Sequence, residues 1–308
     1  MNRVARVLKA IRHQPGGGIP TGELVMERAF MEELLAWEGT LYKTSAMTET
    51  QLIIATARRL SHDVVCLQSQ PPGHDAEDPV ARAEAIAQVA AEGFFVFWIV
   101  NGAFQQVMGA HDFVEFMNAV ALSPASLGDE MAAASENVEA MIRLGTQHGA
   151  HGIIIADDIA YQKSTYMAPA FSQQYLLPLW QRQVAVAKSA GLPVFYHSDG
   201  NLNPLLPQII AAGFDGLQCI EAAASMDIFE IGRRHGDRLC LMGNIDSRLL
   251  CPSGPFSEDT DGVAALTSAV TDLITVFGPT AGLILGTSGG LHTGMSPERV
   301  LQMAALLA

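Results

Sequence analysis

"GAHGIIIAD" (Gly149–Asp157) and "GFDGLQCIE" (Gly213–Glu221) share one form: glycine, two residues, glycine, four residues, carboxylate. The copies start 64 residues apart, and the apolar run Val194–His197 lies between them. Two strand-plus-helix units of about 32 residues fit that offset, each close to one-eighth of a ~250-residue barrel. In each copy the first glycine suits a helix C-cap, and the second lets a strand start tightly.

Outward from the echo, apolar runs at Val64–Gln68, Phe94–Val100, Gly152–Asp157, Val194–His197, Gly216–Glu221, Leu239–Gly243 and Gly282–Gly286 read as strands, with a weaker eighth at Ile19–Leu24. Helical patterns alternate with them at Pro79–Glu92, Leu127–His148, Ala170–Ala190, Pro204–Ala212, Met226–His235, Gly262–Phe277 and Pro297–Leu307. Thr48 and Gln51 form a capping box before a further helix. Alternation of this kind predicts parallel strands with helical crossovers, and runs apolar on both faces predict a sheet covered on both sides. "PSGPFSEDTDG" (Pro252–Gly262) reads as an exposed loop, and no Pro/Ser-rich linker divides the chain. The expectation is α/β: a single (β/α)8 TIM barrel over residues 1–308, with its active site at the carboxyl ends of the strands.

Composition narrows the partners. Hydrophobic residues make up 49% of the 308 and charged residues 16%, enough for a large core. The longest apolar runs, such as "FFVFWIV" (Phe94–Val100), fall far short of the ~20 residues that span a bilayer. The start, "MNRVARVLKAIRH", is a basic amphipathic helix pattern without the apolar region of a signal peptide. A soluble, cytoplasmic protein with no membrane partner is expected. The net charge of −14 argues against nucleic acid, whose phosphates need a basic surface. Cys66, Cys219, Cys240 and Cys251 have no CxxC spacing and read as free thiols.

The strand ends carry the chemistry. In order they give Glu23, Gln68, Asn101, Asp157 with Asp158, His197 with Asp199, Glu221, Asn244 with Asp246, and Thr287 with Ser288. The opposite ends are glycine, proline or apolar residues. The asymmetry reads as an active-site rim; the competing reading is solvated turn chemistry. "VFYHSDGN" (Val194–Asn201) states both cases at once. His197 and Asp199, two apart, face one side of an extended chain and could share a proton or offer a nitrogen and an oxygen to a metal. The competing reading makes Asp199 a helix cap and His197 a core residue. Asp157 and Asp158 are adjacent and point opposite ways. If Asp157 and Glu221 both faced the cavity, their proximity would raise one pKa and make a general acid. "QPGGGIP" lacks the Lys-Ser/Thr of a P-loop. "GTSGGLHTG" (Gly286–Gly294) stands where barrels often hold phosphate, with Arg299 the nearest base after it.

Four stretches together resemble a known superfamily: "DDIAYQKSTYMAPAFSQQYLLP" (Asp157–Pro178), "VFYHSDGNLNPLLPQIIAAGFDGLQCIE" (Val194–Glu221), "GDRLCLMGNIDSRLL" (Gly236–Leu250) and "SPERVLQM" (Ser296–Met303). They are similar to the uroporphyrinogen decarboxylase superfamily, which includes corrinoid-linked methyltransferases of the methylcobamide:coenzyme M type. "GNID" (Gly243–Asp246) is the most specific piece. The resemblance implies a TIM barrel. It also implies an enzyme moving a methyl group from a small methylated compound to a corrinoid on a partner protein. A decarboxylase acting on a tetrapyrrole or other acidic ligand, and a non-catalytic barrel binding a corrinoid or tetrapyrrole, are its alternatives. The decarboxylases carry an Arg-rich first strand end; here "IPTGELVMERAF" (Ile19–Phe30) puts Glu23 there. The methyltransferases hold zinc through His-x-Cys and a distant Cys. Here His197 is kept, Asp199 replaces the first Cys, and the second falls near Ser288–Gly289. From the strand ends, the expected catalytic residues are His197, Asp199 and Asp157. The expected substrate-binding residues are Glu23, Gln68, Asn101, Asp158, Glu221, Asn244, Asp246 and Ser288. In place of the family's thiolate site, a harder zinc site could take His197, Asp199 and Glu221, and a homodimer is open.

Overall fold

The computed structural model describes residues 1–37, 44–70, 78–252 and 259–307. Its strands are β1 (Gly22–Glu23), β2 (Val64–Gln68), β3 (Phe95–Asn101), β4 (Gly152–Ala156), β5 (Ala160–Tyr161), β6 (Ser164–Thr165), β7 (Val194–His197), β8 (Gly216–Gln218), β9 (Cys240–Ile245) and β10 (Leu283–Thr287). Its helices are α1 (Arg3–Ile11), α2 (Arg28–Ala36), α3 (Glu49–Arg59), α4 (Pro79–Ala91), α5 (Ala103–Ala110), α6 (Phe113–Leu122), α7 (Pro124–Gln147), α8 (Pro169–Phe171), α9 (Leu177–Ser189), α10 (Leu206–Ala212), α11 (Ile228–His235), α12 (Asp259–Phe277) and α13 (Pro297–Leu306). Eight strands form one sheet in the order β1-β2-β3-β4-β7-β8-β9-β10, and β5 and β6 form a separate antiparallel hairpin. Sequential parallel strands with helical crossovers make this a (β/α)8 TIM barrel, as the eight candidate strands predicted.

The chain divides into two compact units: Met1–Cys66, Gln88–Val96 and Cys240–Ala308 in the first, Leu67–Ala87 and Phe97–Leu239 in the second. In the first, β9 and β10 pair from Leu283↔Leu241 to Thr287↔Ile245, and Thr21 bridges Leu285. The eighth strand is shorter than Ile19–Leu24 suggested: regular pairing covers Gly22↔Val64 and Glu23↔Val65. The capping box is present, with Thr48 accepting from the Gln51 amide and Gln51 from the Thr48 amide. The loop at Pro252–Gly262 lies largely outside the described residues, and its last part is helix, because α12 starts at Asp259.

The second unit holds β3 from Phe97 on, with β4, β7 and β8. Their pairing sets Asn101, Ala156, His197 and Gln218 in one row across the sheet. Packed aromatic side chains adjoin the row. Phe97 and Phe195 lie 4.9 Å apart between ring centres, and Trp180, Tyr196 and Phe214 stack edge to face. Both echo glycines cap helices with positive φ, Gly149 at 88° and Gly213 at 90°, as only glycine does without strain. The single helix expected over Ala170–Ala190 is broken by a π-turn at Ser172–Leu176, where the Leu177 amide bonds the Ser172 carbonyl. Pro178 follows; its ring lacks an N–H and crowds the Gln174 carbonyl, so regular α-helix cannot run through. No helix among the described residues is long and apolar enough to cross a membrane.

Candidate active site

β7 ends in His197, and the chain then turns through Ser198, Asp199 and Gly200. His197 is buried, and its Nδ1–H donates to Oε1 of Gln218, its neighbour in register on β8. A carbonyl oxygen only accepts, so Nδ1 holds the proton and Nε2 carries the free lone pair. Nε2 faces Oδ1 of Asp158 at 3.5 Å. That same oxygen accepts the Asp199 amide at 3.0 Å, tying the β4 and β7 loops together. The Ser198 hydroxyl braces the turn, donating to the Asp199 carbonyl at 2.7 Å and accepting the Ile159 amide at 3.1 Å. One nitrogen of His197 and one oxygen each of Asp158 and Asp199 lie within 4.8 Å of one another. One imidazole nitrogen and two carboxylate oxygens suit a divalent cation with a taste for harder ligands, and the set includes no thiolate.

The expected ligand set is His197, Asp199 and Glu221; the structure brings Asp158, His197 and Asp199 together. Asp158 stands in the place given to Glu221, because β8 ends at Gln218 instead of running on to Glu221. Cys219 and Ile220 take φ of 121° and 58°, which turns the chain out of the strand direction. Glu221 then precedes a short 3-10 turn at Ala222–Ala224. The Cys219 thiol donates to Asp199 Oδ1 at 3.2 Å; burial, first, and then Asp199, Glu221 and Asp158 push its pKa well above the ordinary thiol range. All four cysteines are free thiols.

Of the adjacent Asp157 and Asp158, the buried one is Asp157. Its carboxylate accepts the Gln105 amide at 2.8 Å and the Trp180 indole N–H at 3.2 Å. It sits at the start of α5, where the N-cap is Gly102 and has no side chain to offer. A Cβ on Gly102 would lie 2.3 Å from the Asp157 carboxyl carbon, so the glycine makes room for it. Burial is the main cause that raises the Asp157 pKa to about 7, against the lowering effect of its hydrogen bonds. The carboxylate expected to be catalytic therefore anchors a helix, and it does not pair with Glu221.

The remaining expected residues divide between the units. In the second, Gln68 ends β2, and its carbonyl accepts from Arg82 Nε at 2.9 Å; Asn101 ends β3, and its carbonyl accepts from Gln106 Nε2 at 2.7 Å. In the first, Glu23 is buried, and its carboxylate accepts the amide of Thr287 and the hydroxyl of Thr287. Burial raises the Glu23 pKa to about 7. Asn244 lies on β9, Asp246 forms an ion pair with Arg248, and the Ser288 amide bonds the Ile245 carbonyl at 2.9 Å. Sequence reasoning missed Gln218 and Cys219. The available signal was a lone Gln in an apolar strand, where the echo carries Ile154.

The match to known proteins agrees with this architecture. Residues 102–307, more than half of the chain, match the family model described as uroporphyrinogen decarboxylase (URO-D). Among solved structures, a methyltransferase from Methanosarcina mazei is similar over 99% of this chain and 98% of that one, with 18% identity and a TM-score of 0.76. D-psicose 3-epimerase from Clostridium cellulolyticum H10 is similar over 84% of this chain and 91% of its own, with 12% identity and a TM-score of 0.50. At these identities the likeness is one of fold. No curated protein sequence matches the chain. The family match, together with the barrel it requires, shows that the chain belongs to the uroporphyrinogen decarboxylase family.

Proposed function

We propose that this protein is a methyltransferase that moves a methyl group from a small methylated compound to a corrinoid held by a partner protein. The observation that carries the reading is the Asp158–His197–Asp199 centre: a lone-pair nitrogen and two carboxylates within 4.8 Å at the end of a barrel strand. The fold shared with the Methanosarcina mazei methyltransferase supports it. Methyl transfer leaves an electron pair on the oxygen or nitrogen that carried the methyl group, and that atom needs a proton or a cation beside it. His197 Nε2, whose lone pair faces Asp158 at 3.5 Å, can take up a proton at that point and hand it to the atom the methyl group leaves. Asp199, fixed through its amide and its thiol neighbour, adds negative charge that favours a cationic partner. Where a zinc-type ion is bound, His197, Asp158 and Asp199 would hold it, and it would supply Lewis acidity toward an ether or amine.

Decarboxylation of a multiply carboxylated tetrapyrrole fits this centre poorly. Such a substrate calls for cationic partners, while the centre is made of Asp158, His197 and Asp199, with the acidic Glu221 in the loop after β8. The test is an anaerobic screen with cob(I)alamin and methoxylated or methylamine donors, with methylcobalamin read by absorbance. Methylation with at least one donor is expected. Conversion of uroporphyrinogen to coproporphyrinogen by the pure protein, with no methyl transfer, would overturn the reading.

A further inference from the structure

We infer that Gln218 and Cys219 are positioning residues of the Asp158–His197–Asp199 centre, holding the His197 tautomer and the Asp199 carboxylate ready for a divalent cation. The inference rests on the reading of that centre as a cation site. Successive residues of a strand face opposite sides of a sheet, so in a continued β8 only one of these two could reach the centre. The backbone breaks that alternation. Cys219 at φ 121° and Ile220 at φ 58° occupy the region that favours glycine, and a β-branched residue there is an outlier. Outliers of this kind gather at sites where geometry is imposed for function. The turn sends two consecutive side chains to two different members of the centre. Gln218 Oε1 accepts from His197 Nδ1–H, and Cys219 Sγ–H donates to Asp199 Oδ1 at 3.2 Å.

Gln218 carries a cost that a packing role would not explain. It is fully buried, and its Nε2 has no hydrogen-bond partner among the described residues. A buried N–H without an acceptor is destabilising, whereas an apolar residue such as Ile154, its counterpart in the echo, would pack there without that penalty. What the amide provides is the oxygen. It fixes the proton on Nδ1 and leaves the Nε2 lone pair toward Asp158, the arrangement that outer hydrogen bonds impose on metal-ligating histidines.

The test uses the full chain, stripped of metal, at one fixed alkaline pH. Nitrogen-15 NMR of the His197 ring reads the tautomer, and titration with Co2+ reads affinity and the d–d spectrum. The wild type is expected to show the Nδ1–H tautomer and to bind Co2+. Gln218→Leu should shift the ring toward Nε2–H, and Gln218→Leu and Cys219→Ala should each weaken Co2+ binding by ~10- to 100-fold. Gln218→Glu keeps the oxygen and Cys219→Ser keeps a donor, so both should restore affinity and spectrum; they also serve where the apolar variants fail to fold. Wild-type affinity and an unchanged tautomer in Gln218→Leu and Cys219→Ala would overturn the inference and leave the cation site standing. A wild type that takes up no Co2+ overturns the cation reading itself, and an Nε2–H ring in that protein removes the role of Gln218 as well.

Discussion

His197 and Asp157 each end a strand in a polar group, yet their burial and partners give them different work. His197 turns one nitrogen to Gln218 and leaves the other toward Asp158. Asp157 spends its carboxylate on the Gln105 amide and the Trp180 indole. Asp157→Ala should therefore destabilise the fold by roughly 2–4 kcal/mol, since it strands two buried donors. Urea denaturation measures this; unchanged stability with lost turnover would return Asp157 to the chemistry. His197 and Asp199 were legible in the sequence because i and i+2 share a face. The choice of Asp158 over Glu221 was not, because it depends on where β8 stops, and the backbone angles of Cys219 and Ile220 decide that. No pattern of side-chain types announces a positive φ at a Cys-Ile pair.

At the scale of elements, the barrel strands were readable since each is a short apolar run bounded by glycine or by a polar end. The echo also placed two helix caps at Gly149 and Gly213. Helices α5 and α6 escaped notice. In α6, Phe113, Val114 and Leu122 are 52%, 64% and 80% exposed, so its apolar residues trace no single buried stripe. The β5–β6 hairpin was hidden for another reason: it is two residues per strand and rests on Gly200, where a Cβ would come within 2.7 Å of the Ala160 carbonyl carbon. The capping box at Thr48 was legible because it needs only two side chains at fixed spacing. Replacing Thr48 by Ala removes the acceptor for the Gln51 amide and should cost about 1 kcal/mol. A fall in melting temperature is the expected result, and a melting temperature equal to wild type would show that α3 does not depend on its cap.

Over the whole molecule, the buried acids set a pH dependence of stability. Glu23 and Asp157 both have pKa values raised by burial to about 7. Each binds its proton more tightly when folded, so stability falls as pH rises from about 4 to about 7. His62 works the other way: burial lowers its pKa to about 4, and the stability it contributes above its ordinary value of 6.5 is lost as pH falls toward 4. The opposing slopes make the wild-type curve shallow, so the contribution of Glu23 is best read as a difference. Glu23→Gln should gain on wild type by roughly 3 kcal/mol between about pH 4.5 and 7, and a difference that does not change with pH would contradict the assignment. The larger claim is that the chemistry of this family member belongs to Asp158, His197 and Asp199, not to Asp157 or Glu221. Methylation of cob(I)alamin by purified variants, each checked for an unchanged melting temperature, tests it most directly. Transfer should vanish in His197→Ala and Asp158→Asn and persist in Glu221→Gln. Transfer that survives Asp158→Asn but is lost in Glu221→Gln would contradict it.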